Sequence, residues 1–328
     1  MPSRARDDAL SEVVGFVLIL GVIVVALSLY QLYGVPAVGR ENEILHMSAV
    51  KDRFIDYKIS LDSLWLNSIN GTNSLEGTTL STSFDLSTEG GYTQGSGGVI
   101  FPVLAPIPSG GTISVNRFYD NLTINSTGMA PPVRLEPMGE VAFESSNNYW
   151  LQQRYYYQMG GLFLSQDAGA TARLSPCISL YKMKSGSDEE PVYRLQVNVA
   201  AIQVYGYQTT AGQGVARVDT RLRKGGVSHT YIVGTDNVTD NVTITIDAHD
   251  AETAALWKQV FLDAADRGGF TGTTVSNAAP VYIKTETDGN QVSLICRPGG
   301  TDPVIQYVDL DLSQASFSVA LQQVVTEY

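Results

Sequence analysis

The stretch from Val13 to Tyr33 reads VVGFVLILGVIVVALSLYQLY, and no charged residue occurs between Val13 and Gly39. At a rise of about 1.5 Å per residue, a helix over this stretch would be roughly 31 Å long, close to the hydrocarbon thickness of a bilayer. The stretch therefore predicts a helix that needs an apolar environment on every side. Lipid provides one, and so does a bundle of identical helices.

The charges that flank this stretch predict its orientation. Arg4 and Arg6 precede it, and the next lysine or arginine is Arg40. Because positive charge resists translocation, we expect the N-terminus inside the cell membrane and the chain from Arg40 onward at the extracellular surface. A cleaved secretory signal peptide is the alternative. The apolar stretch is longer than the roughly 7–15 residues of such signals, and no A-x-A site follows it.

The acidic composition argues against nucleic acid as a partner. The chain has 328 residues and a formal net charge of −12, whereas phosphate binding needs clustered lysine and arginine. An acidic exterior instead keeps a surface protein soluble and self-repelling.

Two kinds of residue bear on an extracellular location. Cys177 and Cys296 are the only cysteines; they could pair and close a long loop, or remain two separate buried thiols, and the sequence leaves both alternatives open. Five Asn-x-Ser/Thr sequons stand in polar, turn-like contexts that fit loops of a glycosylated outer surface. They begin at Asn70, Asn121, Asn125, Asn237 and Asn241.

A second helical pattern follows the apolar stretch. Pro36 lacks a backbone donor and predicts a kink or break, so that residues 10–36 form the membrane or filament-core helix and residues 37–69 an amphipathic stalk helix. Glu41 and Glu43 would favour the start of this second helix through its macrodipole. The apolar stripe of the stalk should rest on the chain's own body or on a neighbour's helix. Its members are Ile44, Met47, Val50, Phe54, Tyr57, Leu61 and Leu64.

Residues 70–328 predict an extracellular β-rich region, so that the whole chain is α+β and mainly β. Short alternating segments separated by glycine-rich turns indicate an antiparallel β-sandwich. One helix is inserted at 251–266, where Asp250 can act as its cap. Residues 185–191 are an exposed loop or a boundary between two β lobes. The predicted strands are 78–86, 122–124, 149–159, 193–204, 242–247, 281–285, 292–296 and 304–310.

Motifs for catalysis are weak, and we expect no enzyme, cofactor or metal. The sequence has no H-E-x-x-H, C-x-x-C or G-x-S-x-G pattern. A tethered hydrolase that uses Asp247 or His249 is a minor alternative. Another is a glycan-binding module that uses Trp150 in the aromatic segment NNYWLQQRYYYQMG, although core packing and cross-strand pairing explain such a segment more simply.

The segment DDALSEVVGFVLILGVIVVALSLY resembles the class III leader and N-terminal helix of archaeal type IV pilins. Ser11 and Glu12, followed by VVG, occupy the positions that open the apolar helix in those proteins. The resemblance implies a charged leader over residues 1–9 and cleavage by a prepilin-peptidase-like enzyme between Ala9 and Leu10. A cut before Asp8 is the alternative, and it would make Glu12 the fifth residue of the mature chain.

Further segments resemble a family of pilin-like surface proteins of haloarchaea and methanogens whose function is uncharacterised. They are YGVPAVGRENEILHMSAVKDRF, GGLFLSQDAGATARLSPCISL and ALWKQVFLD. The resemblance implies a homopolymeric surface filament, for adhesion or as an appendage. Its N-terminal helices lie in the membrane before assembly and in the fibre core afterwards, where Glu12 pairs with a neighbour's N-terminal amine. The alternative is a permanently anchored surface glycoprotein that does not polymerise.

Overall fold

The computed structural model describes residues 4–70, 75–88, 105–187, 189–234, 241–270, 279–286, 289–300 and 303–324, with the side chains of 4–12, 70, 226–228 and 323–324 left out. The helices in these ranges are α1 (Arg4–Leu29), α2 (Val35–Asn70) and α3 (Ala251–Arg267). The strands are β1 (Thr79–Asp85), β2 (Gly110–Val115), β3 (Asn121–Ser126), β4 (Val133–Leu135), β5 (Glu140–Ser146), β6 (Gln153–Gln158), β7 (Gly161–Gln166), β8 (Gly169–Leu174), β9 (Ile178–Gly186), β10 (Pro191–Tyr205), β11 (Gln208–Gly212), β12 (Val215–Val233), β13 (Val242–Asp247), β14 (Val281–Thr285), β15 (Gln291–Cys296) and β16 (Tyr307–Val324).

Helices α1 and α2 form one continuous rod, so the break expected at Pro36 does not occur. A single π-helical turn, Tyr30–Gly34, joins them, and the backbone N–H of Val35 donates to the carbonyl of Tyr30. A proline inside a helix lacks one hydrogen bond, and its ring collides with the carbonyl four residues earlier. The wider π turn directly before Pro36 is where the helix accommodates this proline.

The strands form three sheets, which with the N-terminal apolar helix confirm a mainly β region after a long helix. The first sheet has the order β1-β12-β16-β10-β9, the second β11-β2-β5-β6-β7-β8, and the third β14-β15-β13-β3-β4. Neighbouring strands are antiparallel with one exception among the described pairs, because β10 and β16 run parallel. The expectation of a purely antiparallel region is therefore wrong for this pair. Residues 185–191 close the β9–β10 hairpin, so the chain on both sides of them belongs to the first sheet.

One hydrophobic core, the stalk core, lies between α2 and one face each of the first and second sheets. The predicted stripe of α2 is buried there, with the exception of Ile44, which is 38% exposed. The Tyr57 hydroxyl, which is 2.9 Å from the Thr220 hydroxyl, satisfies its polar atom inside this core. The stalk helix therefore packs on the chain's own body. Large members of the core are Phe54, Tyr57, Leu61, Phe84, Phe143, Tyr157, Val218 and Phe317.

A second core, the tip core, lies on the opposite faces of these sheets and is closed by α3 and the third sheet. Asp250 caps α3 by accepting a hydrogen bond from the Thr253 N–H, as the sequence predicts. Strand β10 serves both cores, since Val197 points into the tip core and Ile202 into the stalk core. Large members of the tip core are Leu122, Tyr156, Phe163, Ile244, Trp257, Phe261, Leu294 and Leu310.

Candidate membrane and assembly helix

The apolar part of the rod is uncovered on every side. From Phe16 to Tyr33 each residue is exposed, and the large side chains show it clearly: Phe16 is 67% exposed, Val22 69% and Leu32 64%. Successive residues of an α-helix point about 100° apart, so an unbroken exposed run leaves no face covered. In the described part of the chain, one helix is long and apolar enough to cross a membrane, and it contains this run.

The head begins to cover the rod at Gly39. From Val13 onward, where the burial of the helix is described, this is the first buried residue, and a Cβ atom added there would come within 2.4 Å of the Tyr149 ring. Glycine thus allows the loop between β5 and β6 to approach the helix backbone closely. The boundary between the uncovered and the covered helix lies six residues after Tyr33.

Glu43 fastens this loop to the helix. It is 1% exposed, and its carboxylate accepts hydrogen bonds from the backbone N–H groups of Asn148 (2.6 Å) and Tyr149 (3.0 and 3.2 Å). The expected role of Glu43 at a helix start is therefore wrong, since the helix does not begin there. We call Gly39, Glu43, Asn148 and Tyr149 the latch. The sequence does carry one sign of the latch: Glu43 is an acid placed four residues before Met47, on the apolar stripe of the helix.

The processing candidates lie on the first turns of the rod. Ala9, Leu10, Ser11 and Glu12 all fall within α1, and their side chains lie outside the described set. The backbone is helical through the proposed cut, so a peptidase that needs an extended substrate would have to unwind the first turns of α1.

Three of the five sequon asparagines lie on the third sheet or directly before one of its strands. Asn121 and Asn125 lie on β3, and not in a loop as expected, while Asn241 directly precedes β13. Asn125 is exposed, and Thr243 stands opposite it on the neighbouring strand. Thr127 N–H donates to the Asn241 carbonyl, so the two sequons share one surface. The Asn70 side chain and all of Asn237 lie outside the described residues.

The two cysteines are separate free thiols. Cys296 is buried in the tip core, whereas Cys177 packs against the stalk core. Burial raises the pKa of both thiols, which keeps them protonated and unreactive. Of the two alternatives that the sequence left open, the structure has the one without a disulfide.

The aromatic segment is core. Tyr155, Tyr156 and Tyr157 are at most 6% exposed, and Tyr157 meets Tyr57 of α2 edge-to-face at 5.4 Å. Trp150 is partly buried against the stalk core. An exposed aromatic row for stacking on sugars is therefore not formed by these tyrosines.

His249 belongs to a polar network that the sequence did not reveal. Its Nδ1 lies 2.7 Å from Oδ1 of Asp120, which is 1% exposed and also accepts the His249 backbone N–H at 2.8 Å. Gln158 donates to the other Asp120 oxygen at 2.8 Å. The bond to Asp120 raises the pKa of His249 above its usual 6.5, against the effect of burial. Burial alone would raise the pKa of Asp120, but the bonds from His249 and Gln158 hold it below 3.8.

The contacts around Asp120 and His249 join two segments of the chain without a covalent bond. Nε2 of His249 faces the Asp250 carboxylate at 3.3 Å, and Phe118 stacks on the imidazole with ring centroids 4.3 Å apart. Arg154 also lies over the Phe118 ring, and it forms an ion pair with buried Glu140. Burial raises the pKa of Glu140 although Arg154 is beside it. Both imidazole nitrogens thus face carboxylates, and the network ties the β2–β3 loop to the start of α3.

The remaining catalytic candidate, Asp247, is exposed at the end of β13. Among the residues that the structure describes, no group of three or more His, Cys, Asp or Glu side chains is placed to hold a metal ion. Comparison with family models, with curated proteins and with solved structures finds no match for this chain.

Proposed function

We propose that this chain is a surface protein whose N-terminal helix first inserts in the cell membrane and then assembles a type IV pilus-like filament. The observation that carries the proposal is the rod itself: its stretch from Phe16 to Tyr33 is apolar and uncovered, while the part from Gly39 onward is packed on the head. Exposed apolar surface of this extent in water is strongly unfavourable. Lipid and a bundle of identical helices are the two environments that cover all sides of it.

The head is proposed to lie outside the cell and the N-terminus inside. The arginines before the span and the sequons after it support this orientation. Glycans on Asn125 and Asn241 would then project from one shared surface of the third sheet. Each copy would present this glycosylated surface outside the cell, which suits adhesion or a protective coat.

Assembly is proposed to need two things: the leader must be removed, and the carboxylate of Glu12 must be present. A carboxylate among apolar helices is costly unless it is paired, and the new N-terminal amine of a neighbouring copy would pair with it. The Glu12→Ala variant should stay in the membrane fraction and form no fibres. The matched control is Glu41→Ala, which removes an exposed acid beyond the span and should leave fibres intact. Normal fibres from Glu12→Ala would reject the proposal.

A permanently anchored, non-polymerising protein is the second candidate. The observation that favours it is the scarcity of small residues on the exposed span, where Gly15, Gly21 and Ala26 are widely spaced among large side chains. Close helix packing in apolar surroundings usually relies on small residues at regular spacing. Electron microscopy of sheared cell-surface material separates the two candidates, because only a filament subunit appears in shed fibres. Mass spectrometry of the mature N-terminus adds a second test, since a start at Leu10 indicates pilin-type processing.

A further inference from the structure

The end of the head that faces the span can be identified from how α2 and β6 run together. Gly39 contacts Tyr149, and Tyr57 contacts Tyr157. The helix advances roughly 27 Å between its two contact points, at about 1.5 Å per residue. On the other side, Tyr149 lies in the loop before β6 and Tyr157 lies on β6, so the two contacts occur in the same order along both segments. The two elements therefore run side by side in the same direction, and the β5–β6 loop lies at the end of the head nearest the span.

A second loop lies at the same end and brings apolar side chains with it. Strand β2 begins at Gly110, opposite Ser146 at the end of β5. Just before β2, the backbone N–H of Ile107 donates to the Tyr149 hydroxyl at 3.1 Å. Ile107 is 68% exposed and Leu151 is 52% exposed. We call Ile107, Tyr149, Trp150 and Leu151 the rim.

The level of the rim lies at the outer edge of the headgroup layer of a bilayer. Gly39, which touches the rim, comes six residues after Tyr33, the last residue of the apolar run, which is a helical rise of roughly 9 Å. A bilayer extends about 5–8 Å beyond its hydrocarbon core on each side. Tyrosine and tryptophan, with a polar tip on an apolar ring, are the side chains that favour this layer.

We propose that the rim is a lipid-contacting surface that seats the base of the head in the headgroup layer of the membrane. The proposal rests on membrane insertion of the rod, as proposed above. The latch holds the loop against the helix through hydrogen bonds to the buried Glu43 carboxylate, so the rim keeps a fixed height relative to the span. The occupant is a phospholipid surface, and a second copy of the chain is the competing occupant that the test must separate.

Trp150 provides a native probe, because the other two tryptophans, Trp65 and Trp257, are buried away from the rim. The full chain is reconstituted in phosphatidylcholine vesicles that carry a nitroxide on part of the choline headgroups, at low protein density. We expect the headgroup nitroxide to quench tryptophan emission in the wild type. Quenching should be lost in Trp150→Phe, whose remaining tryptophans are distant from the rim.

Two further variants test the apolar contact itself. Leu151→Asp should reduce the quenching of Trp150, whereas Ile232→Asp should not, since Ile232 has a similar exposure of 59% but lies on the distal part of β12. Absence of quenching in vesicle-inserted wild type overturns the proposal, and so does equal quenching in Trp150→Phe. A disulfide-linked dimer of Leu151→Cys, formed in place of quenching, would assign the rim to a second copy. Failure of the chain to enter vesicles at all would reject the proposed function instead.

Discussion

Replacing Phe54 by alanine tests whether the second half of the rod belongs to its own head. Phe54 is 0% exposed, and its ring centroid lies 4.8 Å from that of Phe84 and 6.5 Å from that of Tyr57. Truncation of a buried phenylalanine to alanine costs about 3–5 kcal/mol, from lost burial and from the cavity that remains. Whole domains are stable by about 5–15 kcal/mol, so this substitution should remove a large share of the free energy of unfolding of the head.

The measurement is thermal unfolding of the full chain in mild detergent, followed by near-UV circular dichroism. For a domain of this size each kcal/mol lowers the melting temperature by about 2–4 °C, so Phe54→Ala should lower it by about 6–20 °C. Ile59→Ala is the matched control on the same helix, because Ile59 is 59% exposed and its change should stay within about 0.5 kcal/mol. Equal, small shifts in the two variants would refute packing of the stalk on its own head.

Three other predictions concern the latch, the buried network and the sequons. Glu43→Ala removes the buried carboxylate that accepts from the half-buried backbone N–H groups of Asn148 and Tyr149, and it should cost about 1–3 kcal/mol in chemical denaturation. Glu41→Ala on the exposed face should cost little. The raised pKa of His249 stabilises the fold fully below pH 6.5, and this stabilisation is lost as the pH rises through the pKa of His249 in the folded protein. The lowered pKa of Asp120 stabilises the fold above pH 3.8, and this stabilisation is lost on acidification. The melting temperature should therefore decline on the alkaline side in the wild type and not in His249→Gln, and parallel curves would contradict this assignment. Asn125→Gln should lower the mass of the native protein by one glycan, and an unchanged mass would show that this sequon is unoccupied.

The parts of the fold that the sequence predicts are those whose pattern is local. The apolar rod, the stripe of α2, the cap of α3 and strands β1, β3, β6, β10, β13, β14 and β15 were predicted from the chain. The sequence analysis missed the short strands β2, β4, β5, β7, β8, β9 and β11. It also missed most of β16 and all of β12, which is long and bends at irregularities between Leu222 and Val227. Strand β10 was found as a strand, but its burial on both faces hid the fact that it separates two cores.

For the candidate site, too, the sequence did not predict the contacts between segments that are far apart in the chain. The head begins to cover the rod at a position set by Gly39 and Glu43. The partners of these two residues lie more than a hundred residues later, in the β5–β6 loop. The pairing of Asp120 with His249 bridges 129 residues and has no local signal. A pattern along the chain reports only the neighbours that a helix or strand brings together, and it does not report which distant loop returns to a given face.

The sequence by itself determined that the chain carries a rod that cannot stay in water, because hydrophobicity is a property of the residues and needs no partner to be counted. Only the tertiary structure decided where that rod ends and the head begins, which charged groups are buried in pairs, and which loops sit at the membrane side. Those outcomes depend on contacts between segments far apart in the chain, and such contacts are fixed when three sheets and two helices bury their apolar faces together.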